Sequence, residues 1–115
     1  MHIEGPGKRV TIHVGESDRW GHTTLYEAIV RMLREEGCAG ATVLRGVMGF
    51  GKSSRIHTSN VLVLSEDLPV VIVFVDTAQR VEAVLPRIDE MMSGGLVIVE
   101  DVHVARYSED SEAPN

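Results

Sequence analysis

Gly46-Val47-Met48-Gly49-Phe50-Gly51-Lys52-Ser53 satisfies the spacing G-x-x-x-x-G-K-[ST]. In a phosphate-binding loop of that kind, backbone N–H groups wrap the phosphates and the lysine reaches the outer ones. The chemistry also needs a strand before the loop and a long helix opening at the Lys-Ser step, so that the helix N-terminus faces the anion. Ala41-Thr42-Val43-Leu44 supplies the strand. The helix is missing, because residues 54–60 are polar and irregular and Val61-Leu62-Val63-Leu64 reads as a further strand. No downstream carboxylate for Mg²⁺ is evident. The stretch is therefore read as a Gly-rich loop between two strands, with a P-loop nucleotide hydrolase kept as a minor alternative.

Outward from the loop, the periodicity predicts one regular pattern. Residues 8–14 alternate, with Val10, Ile12 and Val14 on one face and Arg9, Thr11 and His13 on the other, as in a half-buried strand. A polar loop over 15–23 leads to Thr24 and Glu27, which are spaced as a capping box. Leu25, Ala28, Ile29, Met32 and Leu33 then share a helical face that Gly37 ends. The second strand covers 42–47. After the loop come strand segments 60–64 and 69–75, with a Ser-Glu-Asp turn between them. Asp76 and Gln79 read as the cap of a second helix with Val81, Val84, Leu85, Ile88 and Met92 inward and Pro86 bending it. Gly94 and Gly95 stop that helix, and a last strand follows, interrupted at Glu100-Asp101.

The order β-α-β-β-α-β is that of an α+β, ferredoxin-like antiparallel sheet with both helices on one face. Residues 1–107 are expected to form a single domain, and 108–115 an acidic, disordered tail. The other sheet face, rich in Val and Ile, would lie bare unless copies of the chain cover it, which predicts an oligomer.

Composition bounds the function. The chain has 115 residues, a formal charge of −6, 43% hydrophobic and 24% charged residues. That balance gives no reason to expect nucleic acid as a partner. The single cysteine, Cys38, excludes an internal disulfide and suits a reducing cytoplasm; it is read as structural. Val70 to Val75 is the longest apolar run, far short of a membrane span. A cytoplasmic protein without membrane insertion is expected.

Two stretches carry a resemblance. Gly37-Cys38-Ala39-Gly40-Ala41-Thr42-Val43 followed by Gly49-Phe50-Gly51-Lys52 resembles the run of PII signal-transduction proteins that leads through their second strand into the mobile T-loop. Together with Gly15-Glu16-Ser17-Asp18-Arg19, Leu25-Tyr26-Glu27-Ala28-Ile29, Leu44-Arg45-Gly46 and Ser65-Glu66-Asp67-Leu68-Pro69, it is similar along nearly the whole chain to the PII-like domain of unknown function 190 family. The resemblance implies a homotrimer with ligand sites between subunits, where PII proteins hold ATP or ADP. It also implies a T-loop that engages a regulated membrane transporter or enzyme, and no catalysis. An adenine nucleotide is thus the candidate ligand, its identity unassigned. This chain departs from the PII pattern in three places. Leu96 stands where PII proteins place a lysine after the glycines, Arg106 is the lone arginine near the C-terminus, and Ser53 replaces a glutamine.

The candidate ligand-binding residues are Arg45, Gly49, Gly51, Lys52, Arg55, Gly95 and Arg106. Arg45, Lys52 and Arg55, with His57, cluster around the loop as an anion pocket, and Gly49 and Gly51 admit close backbone approach. The alternative is a solvated hairpin loop whose charges keep an edge soluble. The Gly15–Trp20 segment is read as structural or at an interface. No catalytic set is present. The histidines lack metal-ligand spacing and no metal residue is assigned, although His13 and His103 lie on strands that could be neighbours. A metal-binding or structural trimer is the runner-up.

Overall fold

The computed structural model describes residues 2–51, 57–58 (backbone only) and 67–108. Strand β1 (His2–Gly15) is followed by a small ribbon of β2 (Arg19–Trp20) and β3 (Thr23–Thr24), then α1 (Leu25–Glu35). Next come β4 (Thr42–Arg45), β5 (Met48–Gly49) and β6 (His57–Thr58). The chain continues through β7 (Pro69–Asp76), α2 (Ala78–Met91) and β8 (Leu96–Ser108). The main sheet has the order β4-β7-β1-β8, every neighbouring pair antiparallel. This is the ferredoxin-like arrangement expected from the periodicity.

The strict alternation of β1 and β7 sends Val10, Ile12, Val14, Val70, Ile72 and Phe74 toward the helices. They pack against Leu25, Ile29, Met32 and Leu33 of α1 and Val81, Val84 and Ile88 of α2. Each aliphatic side chain buried this way contributes roughly 1.5–3 kcal/mol, so this layer dominates stability. Met91 is the buried residue at the end of α2, and Met92 packs only at the margin. The opposite sheet face carries half-buried Val71, Val73 and Val75 beside exposed Leu44, Leu96 and Ile98.

Several local expectations need correction. The reading of a Gly-rich loop between two strands is not one of them, since Met48–Gly49 pairs antiparallel with His57–Thr58. The second strand ends at Arg45, two residues short of expectation, and the polar loop after β1 contains the β2–β3 ribbon. The capping box at Thr24 is absent: Glu27 is drawn to Arg31 one turn on (2.6 Å), and Thr24 Oγ1 is buried without a partner among the described residues. Asp76 belongs to β7, and Thr77 is the cap of α2, accepting from the Arg80 amide at 3.2 Å. The last strand runs unbroken through Glu100 and Asp101, because these acids stand opposite Arg9 and Lys8 in the ladder and pair with them. Ser108, expected to open the tail, is the last residue of β8, while the strand expected at 60–64 and residues 109–115 lie outside the described residues. Among the described residues, no helix is long and apolar enough to cross a membrane.

Candidate ligand-binding site

Gly49, Gly51 and Gly95, far apart in sequence, line one cleft of about 670 Å³. Its walls are the end of β1 at His13 and Val14, the Gly15–Asp18 turn, the Gly49–Gly51 segment, Pro69, and the bend from Ser93 to Leu96. Gly95 adopts φ +112°, and a Cβ there would run into the His13 carbonyl, so only glycine lets this bend close on β1. Gly46 and Gly49 lie flat on Pro69, where a Cβ would come to 2.7 and 3.0 Å of the ring. The Gly46 amide also donates to the Pro69 carbonyl at 2.7 Å. Packing thus accounts for three of these glycines. Gly51 has open space around it, so packing does not account for the absence of a side chain there.

The described residues show only part of the charge of this cleft. Among the described residues, its ionisable side chains are His13, Asp18 and Asp67. Asp18 accepts from the Gly15 amide at 2.9 Å and Asp67 from the Ser17 amide at 2.6 Å, so both carboxylates brace the turn after β1. Arg45 does not line the cleft; it pairs with Glu16 on that turn at 2.5 Å. Lys52 and Arg55 lie outside the described residues, and His57 is placed by its backbone in β6.

Arg106 sits elsewhere. It lines a second cleft of about 480 Å³ toward the other end of the sheet. Val73, Val75, Val102 and Val104 form an apolar floor there, bounded by Ala39–Thr42, Tyr107 and Arg9. The Ala39 segment is held from both sides: its amide donates to buried Asp76 at 2.8 Å, and its carbonyl accepts from the Tyr107 hydroxyl at 3.0 Å. Arg9 was not among the sequence candidates. Its only signal was membership of the outward set Arg9, Thr11 and His13, which any solvated strand face would share.

Arg9 Nε donates to Glu100 at 3.0 Å, and this bond holds the Glu100 carboxyl below its ordinary value of 4.5 and the guanidinium above its own. Burial, and then the Asp76 charge, push the Cys38 thiol above 9.0, away from nucleophilic reactivity. His13 faces Leu96 in the ladder and His103 faces Pro6, seven positions away, so the two cannot share a metal within one chain. Among the described residues, no group of three or more His, Cys, Asp or Glu is placed to hold a metal ion.

Comparison with known proteins locates this architecture. A UPF0166 protein of Methanocaldococcus jannaschii is 35% identical over 98 residues, covering 84% of this chain and 90% of that one. A UPF0166 protein of Aquifex aeolicus is 30% identical over 97 residues, covering 84% and 91%. Among solved structures, the nitrogen regulatory PII-like protein CPII of Thiomonas intermedia, bound to ADP, AMP and bicarbonate, superposes with a TM-score of 0.64 at 17% identity, covering 91% of this chain and 99% of that one. The divalent cation tolerance protein Cut A1 of Thermus thermophilus superposes at 0.57 with 14% identity, covering 89% and 87%. At such identities the likeness establishes the fold. Residues 7–104 match the family described as Uncharacterized ACR, domain of unknown function 190, and the chain belongs to that family.

Proposed function

We propose that this protein is a PII-like regulator that binds a small anionic ligand, an adenine nucleotide first among candidates, between subunits of a homotrimer. It does so without turnover and signals through the Gly-rich loop beginning at Gly49 to a transporter or enzyme. The observation that carries this reading is the separation of the candidate residues into two half-sites. Gly49, Gly51 and Gly95 line one cleft, and Arg106 lines another toward the far end of the same sheet. One chain cannot close both around a single ligand. A neighbouring copy that sets its Arg106 cleft against the glycine cleft brings an apolar, arginine-bearing wall to a wall of close-packed backbone. Exposed Leu44, Leu96 and Ile98 on the open sheet face favour such association. In this reading Lys52 and Arg55 add cationic groups to the glycine side. The adenine nucleotides named in the CPII structures support the choice of ligand class.

Calorimetric titration of the purified oligomer with ATP, ADP, AMP and cyclic nucleotides, with and without Mg²⁺, tests the proposal. Saturable binding without hydrolysis, weakened by Lys52→Ala and Arg55→Ala, is the expected result; silence toward all of them would end it. The runner-up, a metal-binding or structural trimer indifferent to nucleotides, finds no group of three or more His, Cys, Asp or Glu placed to hold a metal among the described residues. Titration with divalent ions alone separates the two.

A further inference from the structure

The Arg106 cleft contains a second guanidinium, that of Arg9, and the surroundings of the two differ. Arg106 has no carboxylate partner among the described residues, whereas Arg9 is engaged through Nε by Glu100, its direct ladder partner. Both members of that pair are about half exposed, at 47% and 44%. Glu100 uses one edge of the planar fork. The terminal nitrogens of Arg9 make no other hydrogen bond among the described residues and remain able to grip an anion. An exposed ion pair in water is a weak competitor, while a phosphate accepts from the guanidinium with more oxygens and more charge.

We propose that Arg9 is a ligand-binding residue of the Arg106 half-site, and that Glu100 holds it in the empty state until the anionic group of an incoming nucleotide displaces the carboxylate. This inference rests on the nucleotide-binding reading above and adds to it a residue and a built-in competitor. Glu100 acts on the ligand through Arg9, by occupying the donor. Removing Arg9 should therefore weaken binding and neutralising Glu100 should tighten it. Because Glu100 works chiefly through Arg9, its removal should matter little once Arg9 is gone.

The test is calorimetric titration of the full-length oligomer with ADP, using Arg9→Met, Glu100→Gln and the double variant. Lys8→Met is the control: it removes the same charge one residue earlier, on the opposite side of β1, from a residue paired with Asp101. Unfolding midpoints and oligomer mass are measured in parallel. Arg9→Met should weaken ADP binding about tenfold or more, the usual weight of a charge-assisted hydrogen bond. Glu100→Gln should strengthen it several-fold, and Lys8→Met should leave it unchanged. In the Arg9→Met background, Glu100→Gln should give no gain. If Arg9→Met misfolds, Arg9→Lys keeps the charge without the fork and should still weaken binding. Undiminished ADP affinity in folded Arg9→Met, or weaker binding in Glu100→Gln, overturns this inference while leaving the functional reading intact. A wild-type oligomer that ignores ADP overturns both.

Discussion

The Tyr107 hydroxyl donates a 3.0 Å hydrogen bond to the carbonyl of Ala39, tying the end of β8 to the connection between α1 and β4. Buried Asp76 holds the amide of the same residue, so Ala39 is clamped on both of its backbone groups. Tyr107→Phe removes one clamp and leaves the carbonyl in a partly shielded place. A loss of about 0.5–1.5 kcal/mol is expected in urea unfolding. ADP affinity should fall with it, because Ala39–Thr42 form a wall of the Arg106 cleft. Equal ADP affinity in Tyr107→Phe and wild type would show that the clamp serves the fold alone.

Gly95 is the glycine whose replacement should cost most. Its φ of +112° is unfavourable for any other residue, and a Cβ would press on the His13 carbonyl. Gly95→Ala should destabilise by at least about 1–3 kcal/mol from backbone strain. Gly51→Ala, with φ unexceptional and nothing within 4 Å of its added Cβ, should be close to neutral in the same unfolding measurement.

The bare sheet face gives a third expectation. Ile98→Asp places a charge among apolar groups that a neighbouring copy would have to cover, which costs far more in the assembly than in the free chain. Sedimentation equilibrium should show the variant at the mass of a single chain, with unchanged far-ultraviolet circular dichroism. A variant with the wild type's mass would move the interface elsewhere.

The Arg9–Glu100 pair makes a signed prediction for pH. Glu100 is held below 4.5 by Arg9, so its contribution is intact above that value and disappears as pH falls through the lowered one. The stability difference between wild type and Glu100→Gln should therefore favour wild type at pH 7 and shrink below pH 4.5. Urea midpoints for the two proteins at pH 7 and pH 3 test it. A difference that grows on acidification would mean that Glu100 is not stabilised by Arg9.

Where the sequence misled, tertiary competition was the reason. Thr24 and Glu27 have the spacing of a capping box, yet Arg31 offers Glu27 an opposite charge one turn away. Asp76 precedes a helix and reads as its cap, but its carboxylate also bridges to Ala39, 37 residues distant in the chain. Glu100-Asp101 looked like a break because two adjacent acids disfavour a strand in isolation. Opposite Lys8 and Arg9 they become ladder partners. Such outcomes depend on which residues the register sets face to face, and no local window contains that information.

The alternation Val10-Ile12-Val14, the helical stripe Leu25-Ala28-Ile29-Met32-Leu33 and the missing helix after Lys52-Ser53 determined by themselves the element order and the inward faces. Burial of apolar surface is non-directional, and strand and helix periods alone decide which side chains share a face. Only the tertiary structure decided the site. It brought Gly95 to Gly49 and Gly51, sent Arg45 to Glu16 and Arg106 to a separate cleft, and set Arg9 against Glu100. Those pairings arise from antiparallel register between strands distant in sequence, where a displacement of one residue would turn each side chain to the other face.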